Sequence, residues 1–127
     1  MKILEILTEK RQIGTIGEDA AAKHLKKNKY RILRKNYVAL DYEIDIIAEN
    51  KDFLVFVEVK TRLNDKYGYA SDAVNFHKRS KINQVASQYI KRFRLFDQAV
   101  RFDVVEVYTQ DKKVVHYENA FDSFLRY

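Results

Sequence analysis

Tyr42-Glu-Ile-Asp-Ile-Ile-Ala48 and Phe53-Leu-Val-Phe-Val-Glu-Val-Lys-Thr-Arg62 are two strand-like stretches in which ionisable residues interrupt an apolar run. A strand rich in Val, Ile and Phe is stabilised by leaving water, and an ionised side chain within it is costly unless paired or bound to a metal. Asp45, Glu58 and Lys60 are therefore the first candidates for function. Directly opposite residues of an antiparallel pair point to one face. With Asp45 set opposite Glu58, Glu43 falls opposite Lys60 and Ile47 opposite Phe56, while the other face collects Ile44, Ile46, Ala48, Val55, Val57 and Val59. A slip of one residue mixes charge into that apolar face, so the hydrophobic pattern selects the register that gathers both carboxylates and the lysine.

Working outward, Leu40-Asp41 and Asn50-Lys51-Asp52 are turns, and 30–39 is a strand whose Arg31, Arg34 and Lys35 suit an edge or surface position. The three strands predict an antiparallel meander. From Gln12 to Asn28 the pattern is helical, with Glu18, Ala21, Ala22 and Leu25 at i, i+3, i+4 and i+7. Glu18 thus lies on the apolar stripe facing the body of the protein. Gly14 and Gly17 mark a flexible or closely packed entry, and residues 1–8 are either an extra helical turn or a partner-seeking arm. Residues 62–74 read as a loop able to cover a site. A second amphipathic helix follows from 75 to 94, with Lys78, Arg79 and Lys81 in its early turns. The dipole disfavours cations there, and a bound phosphate relieves this. Strands at 100–109 and 113–118 and a closing helix over 120–127 complete one domain, 1–127. The order predicts an α/β sandwich with a mixed sheet.

The 127 residues include no cysteine, which excludes disulfides and thiolate metal sites, and no apolar run approaches the roughly 20 residues of a membrane helix. A soluble, cytoplasmic protein with no membrane partner is the expectation. The net charge of +6 is unevenly spread. Residues 1–35 hold ten Lys/Arg against four Asp/Glu and residues 76–101 seven against one, whereas 36–75 hold four against eight. Acid stands between two basic blocks, and Arg34, Lys35, Arg62, Lys78, Arg79 and Lys81 are candidates to hold a nucleic-acid backbone. Solvated helix faces are the competing explanation.

Two carboxylates on adjacent strands make a hard-oxygen site suited to Mg²⁺ or Mn²⁺. Lys60 points to the same side and can orient or deprotonate a water while countering charge on phosphorus. Glu43 stands behind the ligands, and Glu18 is the natural extra ligand if its helix packs over this face. A salt-bridge cluster in a half-exposed sheet explains the same residues without chemistry. His24, His77 and His116 show no ligand spacing and read as surface or helix-face residues. No Gly-rich phosphate loop, nucleophile elbow or zinc pattern is present.

Gly17-Glu18-Asp-Ala-Ala21 with Leu25, Asn36-Tyr37, Glu43-Ile-Asp45-Ile-Ile-Ala48, Phe56-Val-Glu-Val-Lys-Thr-Arg62, Lys78 and Arg101-Phe-Asp103-Val-Val105 together resemble the bacterial YraN-like family, over about residues 14–121. The resemblance implies a Holliday-junction-resolvase-like nuclease of the PD-(D/E)xK superfamily, with a restriction-endonuclease-like αβββαβ core and a mixed central sheet flanked by helices. It implies Asp45 as the first metal-binding aspartate, Glu58 as the second acidic ligand, Lys60 as the catalytic lysine and Glu18 as the helix glutamate of the resolvase-like branch. The family usually has glycine before the Glu-Ile-Asp segment, where this chain has Tyr42. A metal-dependent endonuclease on structured or branched DNA, in preference to RNA, is the implied function. Resolvases of this kind often act as homodimers. A nucleic-acid-binding module that keeps the fold without turnover is the alternative.

Overall fold

A computed structural model describes residues 3–64, 76–123 and 125, with side chains described from Gln12 onward. The elements run α1 (Ile3–Lys27), β1 (Arg31–Ala39), β2 (Tyr42–Glu49), β3 (Leu54–Arg62), α2 (Phe76–Phe93), β4 (Val100–Tyr108) and β5 (Lys113–Tyr117). One five-stranded sheet has the order β1-β2-β3-β4-β5, with β3 and β4 parallel and every other neighbouring pair antiparallel. The crossover that joins the parallel pair contains α2. This is the expected αβββαβ core with a mixed sheet.

The two helices cover opposite faces, and β3 shows why. Leu54 and Phe56 pack with Ile82, Val85, Ala86, Tyr89 and Ile90 of α2, whereas Val55 and Val57 pack with Ala21, Ala22 and Leu25 of α1. A strand buried on both faces needs a continuous apolar run, and its period of two sorts alternate side chains into the two layers. Phe102 adds to the α2 layer, stacked between Phe56 and Phe121 at centroid distances of 5.6 and 5.1 Å.

Both helices end alike. Tyr30 N donates to Leu25 O and Lys29 N to Lys26 O, with Lys29 left-handed at φ 70°; Leu95 N donates to Ile90 O and Arg94 N to Lys91 O, with Arg94 at φ 55°. These are Schellman ends in which a basic residue occupies the position glycine usually takes. Each also brings an apolar pair together, Tyr30 beside Leu25 and Leu95 beside Ile90.

Several expectations need revision. Helix α1 starts at Ile3 rather than Gln12, so residues 3–8 take the helical one of their two readings, and Gly14 and Gly17 lie within it. Residues 120–123, the described start of the expected closing helix, are irregular, though Phe121 is buried against the core. Of the covering loop read at 62–74, residues 65–74 lie outside the described residues. The tight turn before Tyr42 does not need glycine at that position. Leu40 and Asp41, both left-handed at φ 52° and 61°, form a two-residue hairpin loop closed by Ala39 opposite Tyr42.

The largest departure is in the pleat. Ile47 stands opposite Phe56 as read from the sequence, but the β2–β3 ladder ends at Ile46 opposite Val57, so neither Asp45 and Glu58 nor Glu43 and Lys60 are a ladder pair. Ile44 leaves the expected apolar face: it lies in the α2 layer, while Ile46 lies in the α1 layer. Strand β1 breaks at the same level, since Lys35 reaches Asp19 of α1 and Tyr37 packs in the α2 layer. Between the pairs Lys35–Ile46 and Tyr37–Ile44 stand Asn36 and Asp45, and Asn36 is left-handed at φ 54°. Two neighbouring strands thus lose their alternation at one level, next to the acidic residues.

Candidate functional site

The break in the pleat turns Asp45 toward helix α1. One carboxylate oxygen from each of Glu18, Glu43 and Asp45 lies within 4.8 Å of the others. Glu18 reaches this point because α1 rests on β3 at very short range: a Cβ on buried Gly17 would lie 1.9 Å from Thr61 Oγ1 and 3.0 Å from Thr61 Cβ. Only glycine permits that approach, and the next residue along the helix is Glu18.

Asp45 is also tied to β3. Its Oδ2 accepts the Val59 N–H at 2.7 Å, taking the place of a ladder carbonyl, and its own backbone N–H donates to the Glu58 carboxylate. Asn36 joins the remaining acids. Its Nδ2 lies 3.1 Å from each Glu18 carboxylate oxygen and 2.7 Å from Glu43 Oε1.

The electrostatics are those of acids with too little compensation. Burial, followed by Glu18 and Glu43, pushes the Asp45 carboxyl up to about 6 against the Val59 hydrogen bond and Lys60. Burial and then Asp45 push Glu58 well above the carboxylate range, and Glu58 Oε1 is buried without a hydrogen-bond partner. Burial, Lys78 and Arg62 lower the Lys60 ammonium, while Asp45 and Glu58 hold it up. Burial and then Glu58 and Asp45 raise the Tyr42 phenol, which places Tyr42 at the rim of the same centre. Hydrogen bonding and ion pairing normally lower a buried carboxylate; here desolvation and like charge win.

Asp45, Glu58, Lys60 and Glu18 are thus brought into one neighbourhood. Glu43, expected behind the ligands, stands in the carboxylate trio itself, whereas Glu58, expected as the second acidic ligand, is not one of the three. The six cations selected from the sequence do not form a single patch. Lys78 and Arg62 act on Lys60, and Lys78 also acts on Glu58. Arg79 stacks over Phe121 at 5.6 Å and Arg34 over Phe93 at 5.2 Å, near the far end of α2, while Lys35 pairs with Asp19 at 2.8 Å. Lys81 is half-buried in the second turn of α2.

A second polar group was not legible in the sequence. Asp103 is fully buried and takes two hydrogen bonds from Arg101, Nε to Oδ1 at 2.9 Å and Nη2 to Oδ2 at 2.8 Å. It also accepts the Asn119 N–H at 2.9 Å and meets His116 Nε2 at 2.7 Å. Arg101 donates to the Tyr30 hydroxyl, and His116 Nδ1 lies 3.3 Å from His24 Nε2. Burial acts to raise Asp103, but the bonds from His116, Arg101 and Asn119 outweigh it and hold the carboxyl below its usual range. His24 and His116 are therefore not isolated surface residues. The side chain of His116 is 9% exposed, because β4 and β5 carry it onto Asp103 under α1. Arg101 and Asp103, two apart on a strand, were the one available signal; the histidines are 92 residues apart.

The profile of the uncharacterised protein family UPF0102 matches residues 17–107. A UPF0102 protein of Clostridioides difficile is 47% identical over 108 residues, covering 85% of this chain and 95% of its own. Another, from Caldanaerobacter subterraneus subsp. tengcongensis, is 43% identical over 117 residues, covering 88% and 96%. One from Acetivibrio thermocellus is 50% identical over 105 residues, covering 81% and 80%. The matched span contains every residue of the carboxylate centre, and with it the motifs that resemble the YraN-like proteins. On these grounds the chain belongs to the UPF0102 family.

Proposed function

We propose that the protein is a metal-dependent nucleic-acid phosphodiesterase, an endonuclease acting on structured or branched DNA. The observation that carries this reading is the approach of Glu18, Glu43 and Asp45 within 4.8 Å, with Glu58 joined to the Asp45 backbone. Like charges gathered this closely, with Asp45 and Glu58 raised by burial and one Glu58 oxygen lacking a partner, call for a cation. The donors are all hard oxygens, which suits Mg²⁺ or Mn²⁺. Asp45, Glu18 and Glu43 would hold the ion, with Glu58 beside them. When bound, such an ion supplies Lewis-acid polarisation of a phosphoryl oxygen and a more acidic water.

The remaining work falls to this chain's own residues. Lys60, half-buried beside the acids, orients the attacking water and counters negative charge on phosphorus; its lowered proton affinity also eases proton release. Lys78 and Arg62, close enough to act on Lys60, draw a phosphate toward it. Helix α2 has no acid in its first turn, so its positive end is not cancelled there.

Incubation with branched and single-stranded DNA in Mg²⁺ or Mn²⁺ tests the reading. Cleavage is expected, and Asp45→Ala and Lys60→Ala should reduce it by at least about 100-fold. Salt-sensitive binding with no cleavage of any substrate would instead make the protein a binding module that retains a nuclease fold.

A further inference from the structure

We propose that Asn36 is a positioning residue that assembles the carboxylate trio before any cation arrives. Asn36 is not a ligand in this proposal: it acts through Glu18 and Glu43. Its amide nitrogen carries two protons and faces three carboxylate oxygens, at 2.7, 3.1 and 3.1 Å. One proton goes to Glu43 and the other is shared by the two oxygens of Glu18. Glu18 comes from α1 and Glu43 from β2, so one amide on β1 ties together acids from two other elements. Without a donor between them these carboxylates repel, and both are free to turn toward water.

The backbone gives a second, independent reason for asparagine here. Asn36 has φ 54° inside a strand, a conformation that asparagine tolerates better than most residues and glycine accepts without strain. This is the level at which both strands lose their alternation, where Asn36 and Asp45 stand between the pairs Lys35–Ile46 and Tyr37–Ile44. Backbone and side chain therefore make separable demands. Glycine satisfies the first and abolishes the second.

The experiment uses that separation in the full chain, without reference to cleavage. A double-mutant cycle with Asn36→Gly and Glu43→Ala is measured by chemical unfolding in EDTA. The effects of the two substitutions on the unfolding constant are expected to be non-additive by about 3-fold or more, since residues sharing a hydrogen bond couple. Additive effects would overturn the proposal. The second arm is Mn²⁺ affinity of the parent and of Asn36→Gly by calorimetry. A weakening of about 10-fold or more is expected, the usual scale for a group that orients a ligand. Affinity equal to or tighter than the parent's would overturn the proposal. The inference rests on the metal reading only for what the assembled trio is for. Coupling in EDTA together with a parent that binds no Mn²⁺ would support Asn36 as the organiser and sink the metal assignment alone.

Discussion

Two groups of ionisable residues on the described sheet, one around Asp103 and one around Asp45 and Glu58, are solved in opposite ways. Asp103 is fully buried yet receives bonds from Arg101, His116 and the Asn119 N–H, and its carboxyl is held down. Asp45 and Glu58 keep some exposed surface, yet they receive fewer bonds and are pushed up by desolvation. Depth alone therefore does not decide a buried acid's state; the number of donors aimed at it does. The compensated acid is an internal strut joining β4, β5 and, through Tyr30 and His24, the end of α1. The uncompensated acids are those for which a cation is proposed.

The largest effect should come from breaking the strut. Asp103→Ala leaves buried Arg101 without its two carboxylate hydrogen bonds and is expected to destabilise by about 3–5 kcal/mol, read as a lowered urea midpoint. Glu58→Gln, by contrast, removes a charge whose burial is already unfavourable and should leave stability equal or higher while eliminating cleavage. If both substitutions destabilise alike, the distinction between the two groups fails.

Gly17→Ala disturbs the acidic centre without altering an acid. The added methyl group meets Thr61 Oγ1, Cβ and Cγ2, so rotating the threonine does not clear it, and α1 must shift. A loss of about 1–3 kcal/mol is expected, with Mn²⁺ affinity falling as Glu18 moves away. Wild-type affinity in a destabilised variant would show that Glu18 does not depend on this contact.

The pH dependences should run in opposite directions. Asp45 holds its proton more tightly folded than unfolded, about 6 against an ordinary value of 3.8. Its contribution to stability is therefore full below pH 4 and lost as pH rises toward 6. Asp103 is lowered, so its contribution is full above the ordinary value and lost as pH falls through the lower one. Asp45→Asn should flatten the first limb, Asp103→Asn the second, and saturating Mg²⁺ the first only. The readout is the unfolding midpoint from pH 2.5 to 7.

The smallest effect concerns the helix end that delivers Tyr30 to Arg101. Lys29→Gly removes the strain of a left-handed lysine and should stabilise by up to about 1 kcal/mol, without change in metal affinity. Destabilisation would mean that the lysine side chain supports the Asp103 group.

The alternating pattern from Tyr42 to Arg62 determined much by itself: three strands and the register that sets Ile47 opposite Phe56. Helical spacing likewise placed Glu18 on the inner face of α1. These features are local, because a period of two or of 3.6 is written in consecutive residues. What only the tertiary structure decided is which face Asp45 serves. Strict alternation sends Ile44 and Ile46 to the same layer, but the structure divides them, and the break carries Asp45 to Glu18 and Glu43. The cause lies in groups distant in sequence: a left-handed Asn36 on one neighbouring strand, the Val59 N–H on the other, and a helix seated on Thr61 through Gly17. The same holds for His24, His116 and Asp103, whose meeting depends on how α1, β4 and β5 pack rather than on any spacing along the chain.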